Sequence, residues 1–325
     1  MGPPEGGPNA LLGVFQLALR FSFLPTTIKP MQSGSASARH FEADAVFGLK
    51  VSADGVEWLG VPGWGNLDWL WHGFSTRRGG VSRVYLAGGG IGPGGLNLGG
   101  LNPGELNLGF TAADTAENVR ENRLRFVGAV SGDRETSLRT VRQVHSYRSM
   151  TAAEAAQETT PEADGLMTGQ AGVLLGIQTA DCIPVLVADP VRRAVSAFHA
   201  GWRGTVARIV ELGVGRMTEE FGSDPADLIA AVGPGISVCC YTVGEEVQAQ
   251  FGANFSYAEE LFLPGERAFC LNLVEANRRQ LMAAGLRPDA IAMVGGCTSC
   301  QPQLFYSHRA SGGHAGRMMA VIGIR

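Results

Sequence analysis

The chain has 325 residues, 45% of them hydrophobic and only 17% charged; that is enough apolar material to bury a large core and excludes an intrinsically disordered chain. A formal net charge of −4 gives no global attraction to nucleic acid or to an acidic membrane, so neither is an expected partner and a small-molecule substrate is. The 46 glycines mark a turn-rich globular protein, and six cysteines in so long a chain, two of them adjacent at Cys239 and Cys240, fit reduced thiols in a cytoplasm better than a disulfide scaffold.

Residues 1–40 pass from Pro/Gly-rich to apolar to the small polar run QSGSASA without an amphipathic period, and read as a poorly ordered N-terminal extension ahead of one catalytic domain, 41–325. Its apolar stretch, 10–25, is broken by Gln16 and Arg20, is too short to span a bilayer and lacks the basic flank of a signal peptide. Met31 is a second candidate start, and removal of residues 1–30 is expected to leave folding intact. A glycine-rich segment follows in which LNLG occurs at 96–99 and again at 106–109, as in a local duplication forming a flexible loop. Helical periodicity marks 114–130, 204–221 and 271–284; in the second, Val206, Ile209, Val210, Gly213 and Met217 form one stripe. Strand-like runs occupy 173–178, 183–188, 194–199, 228–232 and 291–294, separated by Gly, Pro or Asp. The mixture implies a layered α/β-type domain.

Of six histidines, two stand at strand-end signals: His145 closes the run SLRTVRQVH and His199 closes AVSAFH. Strand ends line clefts in layered folds. Between them Cys182 interrupts two apolar strands, on what reads as a constrained bend before Pro184. Two His and one Cys suit Zn²⁺, with copper possible, and three protein ligands leave a position open for water or substrate. The spacings of 37 and 17 residues match no short metal motif. The same residues also serve a metal-free Cys-His hydrolase, with Cys182 as nucleophile and His199 as base, or an inert core.

The phrases HGFSTRRGGVS at 72–82, LNLGF with the following ENVRENR, RQVHS at 142–146, ADGLMT at 163–168, QTADCIPVLVAD at 178–189, AFHAGWRGTV at 197–206, GPGISVCCYTVGEEV at 233–247 and CTSCQPQLFYSHRASGGHAGRM at 297–318 together resemble the YfiH family, the laccase-domain or polyphenol-oxidase-like proteins. The resemblance implies an α+β fold, a layered α/β/β/α sandwich with mixed sheets, and metal ligands at His145, Cys182 and His199. It further implies zinc-dependent purine nucleoside phosphorolysis of adenosine, inosine and S-methyl-5′-thioadenosine, with adenosine deaminase side activity, in a monomer or small homo-oligomer. A peptidoglycan-precursor editing amidase and a polyphenol oxidase (laccase) are the alternatives it carries; multicopper oxidation demands more histidines than six readily supply.

Phosphate needs a cationic cradle, for which Arg77 beside a Gly-Gly turn is the first candidate and Arg203 the second. Asp164 and Asp181 are candidates to orient a ligand histidine or accept a proton, Asp181 being placed with Cys182 and His199 in catalysis and Asp164 on the substrate side; both also suit Asx turns. His308 is a substrate-side candidate, with Arg309 as its neighbour. Cys297-Thr298-Ser299-Cys300 has no second CxxC and reads as structural. Two departures from the family pattern stand out: the duplicated LNLG, and Thr111 where relatives often carry histidine.

Overall fold

Alternation along the longest strands decides the layering. In Ile183–Asp189, Ile183, Val185 and Val187 pack under helices while Leu186 and Ala188 face a second sheet. In Met318–Ile324, Met319 and Val321 pack with Phe126 and Val127 of a helix while Ala320, Ile322 and Ile324 face the other way. Strands apolar on both faces must be covered on both. The result is helix, sheet, sheet, helix.

The computed structural model describes residues 1–2, 48–85, 104–264 and 269–325. The chain divides into units Met1–Ala43 and Asp44–Arg325, and the sheets belong to the second. Residues 3–40 of the expected extension, with the apolar stretch 10–25, and the first LNLG copy lie outside the described residues. Among the described residues no helix is long and apolar enough to cross a membrane.

Twelve strands in chain order form the two large sheets: β1 Leu49–Val51, β2 Glu57–Leu59, β3 Leu70–Ser75, β4 Ser137–Thr140, β5 Ser149–Thr151, β6 Gly165–Thr168, β7 Val173–Thr179, β8 Ile183–Asp189, β9 Ala194–Ala200, β10 Ile229–Val232, β11 Ile291–Met293 and β12 Met318–Ile324. The first sheet runs β1-β2-β3-β12-β7-β4 and the second β11-β10-β8-β9-β6-β5. Each is mixed: β4 is parallel to β7, and β10 to β11, within otherwise largely antiparallel ladders. Helix α1, Ala116–Ser131, covers the first sheet; it starts at Thr115, whose side chain accepts the Asn118 N–H, and ends at Gly132 at φ 88°.

The second LNLG copy is a wall of the core. Leu106 and Leu108 are fully buried, and their N–H groups donate to the carbonyls of Arg77 and Arg317. Each buried leucine contributes roughly 1.5–3 kcal/mol of transfer free energy. The helix expected over 204–221 is two helices, α2 Trp202–Val206 and α3 Ile209–Phe221, because Arg208 sits at φ 61° and breaks the ladder. Its guanidinium holds the break by donating to Glu211 and to the Asn254 carbonyl. The apolar stripe survives, and Gly213 is required in it: a Cβ there would lie 2.2 Å from Phe198 of β9.

Candidate metal centre and active-site cavity

Two connections between the sheets carry the site. The chain leaves the first sheet at Thr140 and enters the second at Ser149, with His145 between; it crosses again from Thr179 to Ile183, with Cys182 between. His145 is therefore not at a strand end, as its sequence context suggested, but in a bend five residues beyond one. His199 is within β9, one residue from its end, opposite Pro184 of β8.

His145 stands at φ 60°, a conformation uncommon for a non-glycine residue. What holds it there is Asp164. The N–H groups of Val144, His145 and Ser146 all donate to that carboxylate, at 3.2, 3.0 and 2.6 Å, and the Ser146 hydroxyl adds a fourth bond at 2.8 Å. Successive amides converging on one anion form a nest. The fifth donor is His199 Nδ1, 2.8 Å from Oδ1. Asp164 is fully buried; burial works against its charge, but His199 and Ser146 more than offset this and hold the carboxyl below the usual carboxylate range. With both carboxylate oxygens taken up by these five donors, Asp164 orients His145 and His199, the first of the two readings its sequence context offered, and faces protein rather than the substrate side.

Because Asp164 takes Nδ1, His199 presents Nε2 to the site. Cys182 Sγ lies 3.9 Å from His145 Nε2, the two imidazoles are 4.9 Å apart at 74°, and one donor atom from each of the three residues lies within 4.8 Å of the others. Ligands at about 2.0–2.3 Å from one ion have separations of this size. Gly201 keeps the space clear, since a Cβ there would come 3.0 Å from Cys182 Sγ and 3.0 Å from His145 Cδ2. Without an ion the groups polarise one another. Burial opposes the Cys182 thiolate, yet the adjacent His199 and His145 lower the thiol to about 6; burial likewise opposes the His199 imidazolium, yet Cys182 and Asp164 raise it to about 9. The donor set fits a borderline-soft divalent cation.

Asp181 makes no hydrogen bond to either histidine. At φ 89° it accepts the Thr298 hydroxyl at 2.6 Å and the Arg309 N–H at 2.7 Å, while its carbonyl accepts Ile236 N–H at 2.8 Å. Its hydrogen bonds hold the bend that presents Cys182, and none of them goes to a histidine.

His145, Cys182 and His199 open on a cavity of about 480 Å³, within the range of small-molecule sites. His308 lines it, as expected, and so do Phe110, Val141, Gln143, Arg142 and Arg317, which were not singled out from sequence. Arg77 is elsewhere: Nε donates to Glu105 at 2.5 Å, Nη1 to the Pro302 carbonyl and Nη2 to the Tyr85 carbonyl, with the guanidinium over the Tyr306 ring. It staples loops together and does not reach the cavity. Arg203 is exposed, lies 4.4 Å over the Trp202 ring and does not line the cavity either. Arg142 and Arg317 were visible only as members of the phrases RQVHS and HAGRM; their positions depend on which loops meet. Thr111 bonds to the Tyr85 hydroxyl.

Residues 71–325 match the family model described as multi-copper polyphenol oxidoreductase laccase. A purine nucleoside phosphorylase of Deinococcus radiodurans is 39% identical over 253 residues, 78% of this chain and 88% of that protein. The purine nucleoside phosphorylase YlmD of Geobacillus stearothermophilus is 41% identical over 169 residues, 51% of this chain and 61% of that one; the match thus spans about three fifths of that relative. The crystal structure of YlmD from this species shares the fold, with a TM-score of 0.71 and 31% identity over 86% of this chain and 99% of the other. An adenosine deaminase, RL5, from an unknown prokaryotic organism is 36% identical over 156 residues, 47% of this chain and 59% of that protein.

Proposed function

The chain belongs to the YfiH/YlmD family, whose model is described as multi-copper polyphenol oxidoreductase laccase, and we propose that it is a zinc-dependent purine nucleoside phosphorylase acting through the His145, Cys182 and His199 cavity. The observation that carries this reading is the convergence of one His-Cys-His donor set and two arginines on a single cavity. The names of the relatives supply the substrate class.

His145, Cys182 and His199 would hold the ion, Zn²⁺ being the best match to the donors and copper the other candidate. When bound it supplies Lewis acidity to an oxygen nucleophile. Arg317 and Arg142 offer guanidinium donors to phosphate. Phe110, exposed at the rim beneath Arg123, offers a ring face to a purine. His308 borders the same space and keeps the substrate-side role assigned from sequence. In phosphorolysis the glycosidic C–N bond breaks, a phosphate oxygen bonds to the sugar carbon, and the purine leaves with a proton, giving free base and ribose 1-phosphate. Adenosine, inosine and S-methyl-5′-thioadenosine share that bond. Water attacking purine C6 instead releases ammonia, which is the deaminase side activity. A multi-copper oxidase is disfavoured because, among the described residues, only one possible ligand group contains histidine. With its free thiols the enzyme suits a cytoplasm, as monomer or small oligomer, with residues 41–325 as catalytic unit.

A second reading, a metal-free Cys-His hydrolase, is favoured by one observation, the thiol lowered to about 6 beside a raised histidine. The test is incubation with each nucleoside, with and without phosphate, before and after chelation, with products separated. Base and ribose phosphate that require both phosphate and restored zinc support the proposal. Turnover that survives chelation supports the hydrolase, equal cleavage without phosphate refutes phosphorolysis, and inactivity on nucleosides redirects the search to amide substrates.

A further inference from the structure

The turn of residues 297–300, read from sequence as an unpartnered CxxC, has a partner in space. The loop after β10 brings Cys239 and Cys240 against it: Cys239 Sγ is 3.5 Å and Cys240 Sγ 3.3 Å from Cys300 Sγ. With Cys297 they form a set of four sulfurs all within 4.8 Å of one another. All four are free thiols. An ion bound by four thiolates at about 2.3 Å in a tetrahedron requires sulfurs about 3.8 Å apart. Two of the separations, 3.3 and 3.5 Å, already lie within 0.5 Å of that value, and the 4.8 Å span of the set admits the others.

Backbone geometry supports the same conclusion. The Ser237 N–H points at Cys297 Sγ at 3.4 Å, and N–H donation to sulfur is the outer support that thiolate ligands need. The two segments are already paired by the Gly235–Cys297 bridge and by Thr298 N–H donating to the Gly235 carbonyl at 3.1 Å. The Cys240 and Tyr241 N–H groups both return to the Ser237 carbonyl, so the adjacent cysteines sit on a tight turn. A single disulfide would use two sulfurs and leave two thiols crowded beside it; one soft cation uses all four.

We propose that Cys239, Cys240, Cys297 and Cys300 form a second metal site, a closed tetrathiolate site for Zn²⁺ that is separate from the cavity. It has no open position, so it is structural. Its effect reaches the first site through one residue. Thr298, inside the CxxC turn, donates to Asp181, and Ile236, on the other segment, donates to the Asp181 carbonyl. Asp181 sets the bend that presents Cys182. Pinning the two segments together therefore pins Cys182.

The experiment uses the full chain, stripped of metal, reloaded with zinc chloride, desalted and assayed by elemental analysis. Two ions are expected per wild-type chain, one in Cys182→Ala and one in the Cys240→Ser/Cys300→Ser double variant. The proposal does not depend on the first site: one ion in wild type that persists in Cys182→Ala and vanishes in the double variant would support it even if the cavity binds none. One ion in wild type and none in Cys182→Ala overturns it. Should the double variant not fold, Cys182→Ala loaded with cobalt(II) gives the answer: intense tetrahedral ligand-field bands with strong sulfur-to-cobalt charge transfer support the site, and their absence overturns it. A Cys240–Cys300 disulfide in zinc-loaded protein prepared under reducing conditions also overturns it.

Discussion

Replacing Asp164 with asparagine should weaken zinc binding about 10–100-fold while changing the side-chain shape very little. The new amide has one oxygen and one NH₂, and it meets five donors (Val144 N, His145 N, Ser146 N, Ser146 Oγ and His199 Nδ1). With NH₂ in place of Oδ2, two backbone N–H groups lose their acceptor, at about 1–3 kcal/mol each. With NH₂ in place of Oδ1, only His145 N–H is orphaned, provided that His199 moves its proton to Nε2 and accepts at Nδ1. The second arrangement is cheaper, and it removes the lone pair that the ion needs. Loss of an outer partner of this kind lowers metal affinity about 10–100-fold, equal to about 1.4–2.8 kcal/mol. Competition against a chromophoric chelator measures it, and nitrogen-15 shifts of His199 report the tautomer. Zinc affinity within twofold of wild type in a folded variant would refute the argument that Asp164 sets the ligand.

Gly201→Ala should fold normally but hold substoichiometric zinc, since its Cβ enters the space between Cys182 and His145; full occupancy by elemental analysis would contradict this. In metal-free protein the Cys182 thiol, lowered to about 6, should alkylate with a midpoint near that pH, the rate rising with pH as thiolate forms, and should be protected by zinc; peptide mapping after iodoacetamide checks both. Arg317→Lys should raise the phosphate requirement more than the nucleoside requirement because a point charge replaces a fork, whereas Arg77→Lys should lower Tm and leave phosphate KM unchanged. His72 is lowered to about 4, first by burial and then by Lys50. Its unfolded form takes a proton near 6.5 before the folded form does, so stability should fall by about 3 kcal/mol as pH drops from 6.5 to 4. His72→Leu should flatten that decline in urea unfolding, and an unchanged slope would count against it.

The strands were readable because buried strands are continuous apolar runs: the expectations at 173–178, 183–188 and 194–199 miss the observed ends by one residue each. Helix 204–221 was readable as a stripe but not as two pieces, since Arg208 shows nothing in sequence that announces a positive φ. His145 is legible in the sequence as a residue but not as geometry. Its conformation depends on a carboxylate 19 residues away, which no local pattern encodes. The Gly-Gly neighbour of Arg77 is a sound sequence signal for an anion site, but here the arginine serves loop closure. The cysteine pairs stood 60 residues apart in the Cys240–Cys300 case, so each looked incidental until the loops met.

Why the ligands come from these places follows from closing the sandwich. Packed sheets lie about 10 Å apart, and the crossing from Thr179 to Ile183 has three residues between its ends, a reach of about 13 Å over four Cα steps even when extended. Such a link has room for one sharp turn, taken at Asp181, so Cys182 must emerge at the rim between the sheets. His199 is brought to the same rim by the ladder that sets it opposite Pro184, two residues past Cys182. His145 is the member that the sheets leave free, because its connection is longer, and it is the one for which a buried carboxylate with three backbone amides is needed. The investment of Asp164 in residues 144–146 is thus the physical counterpart of a loop that topology alone does not hold.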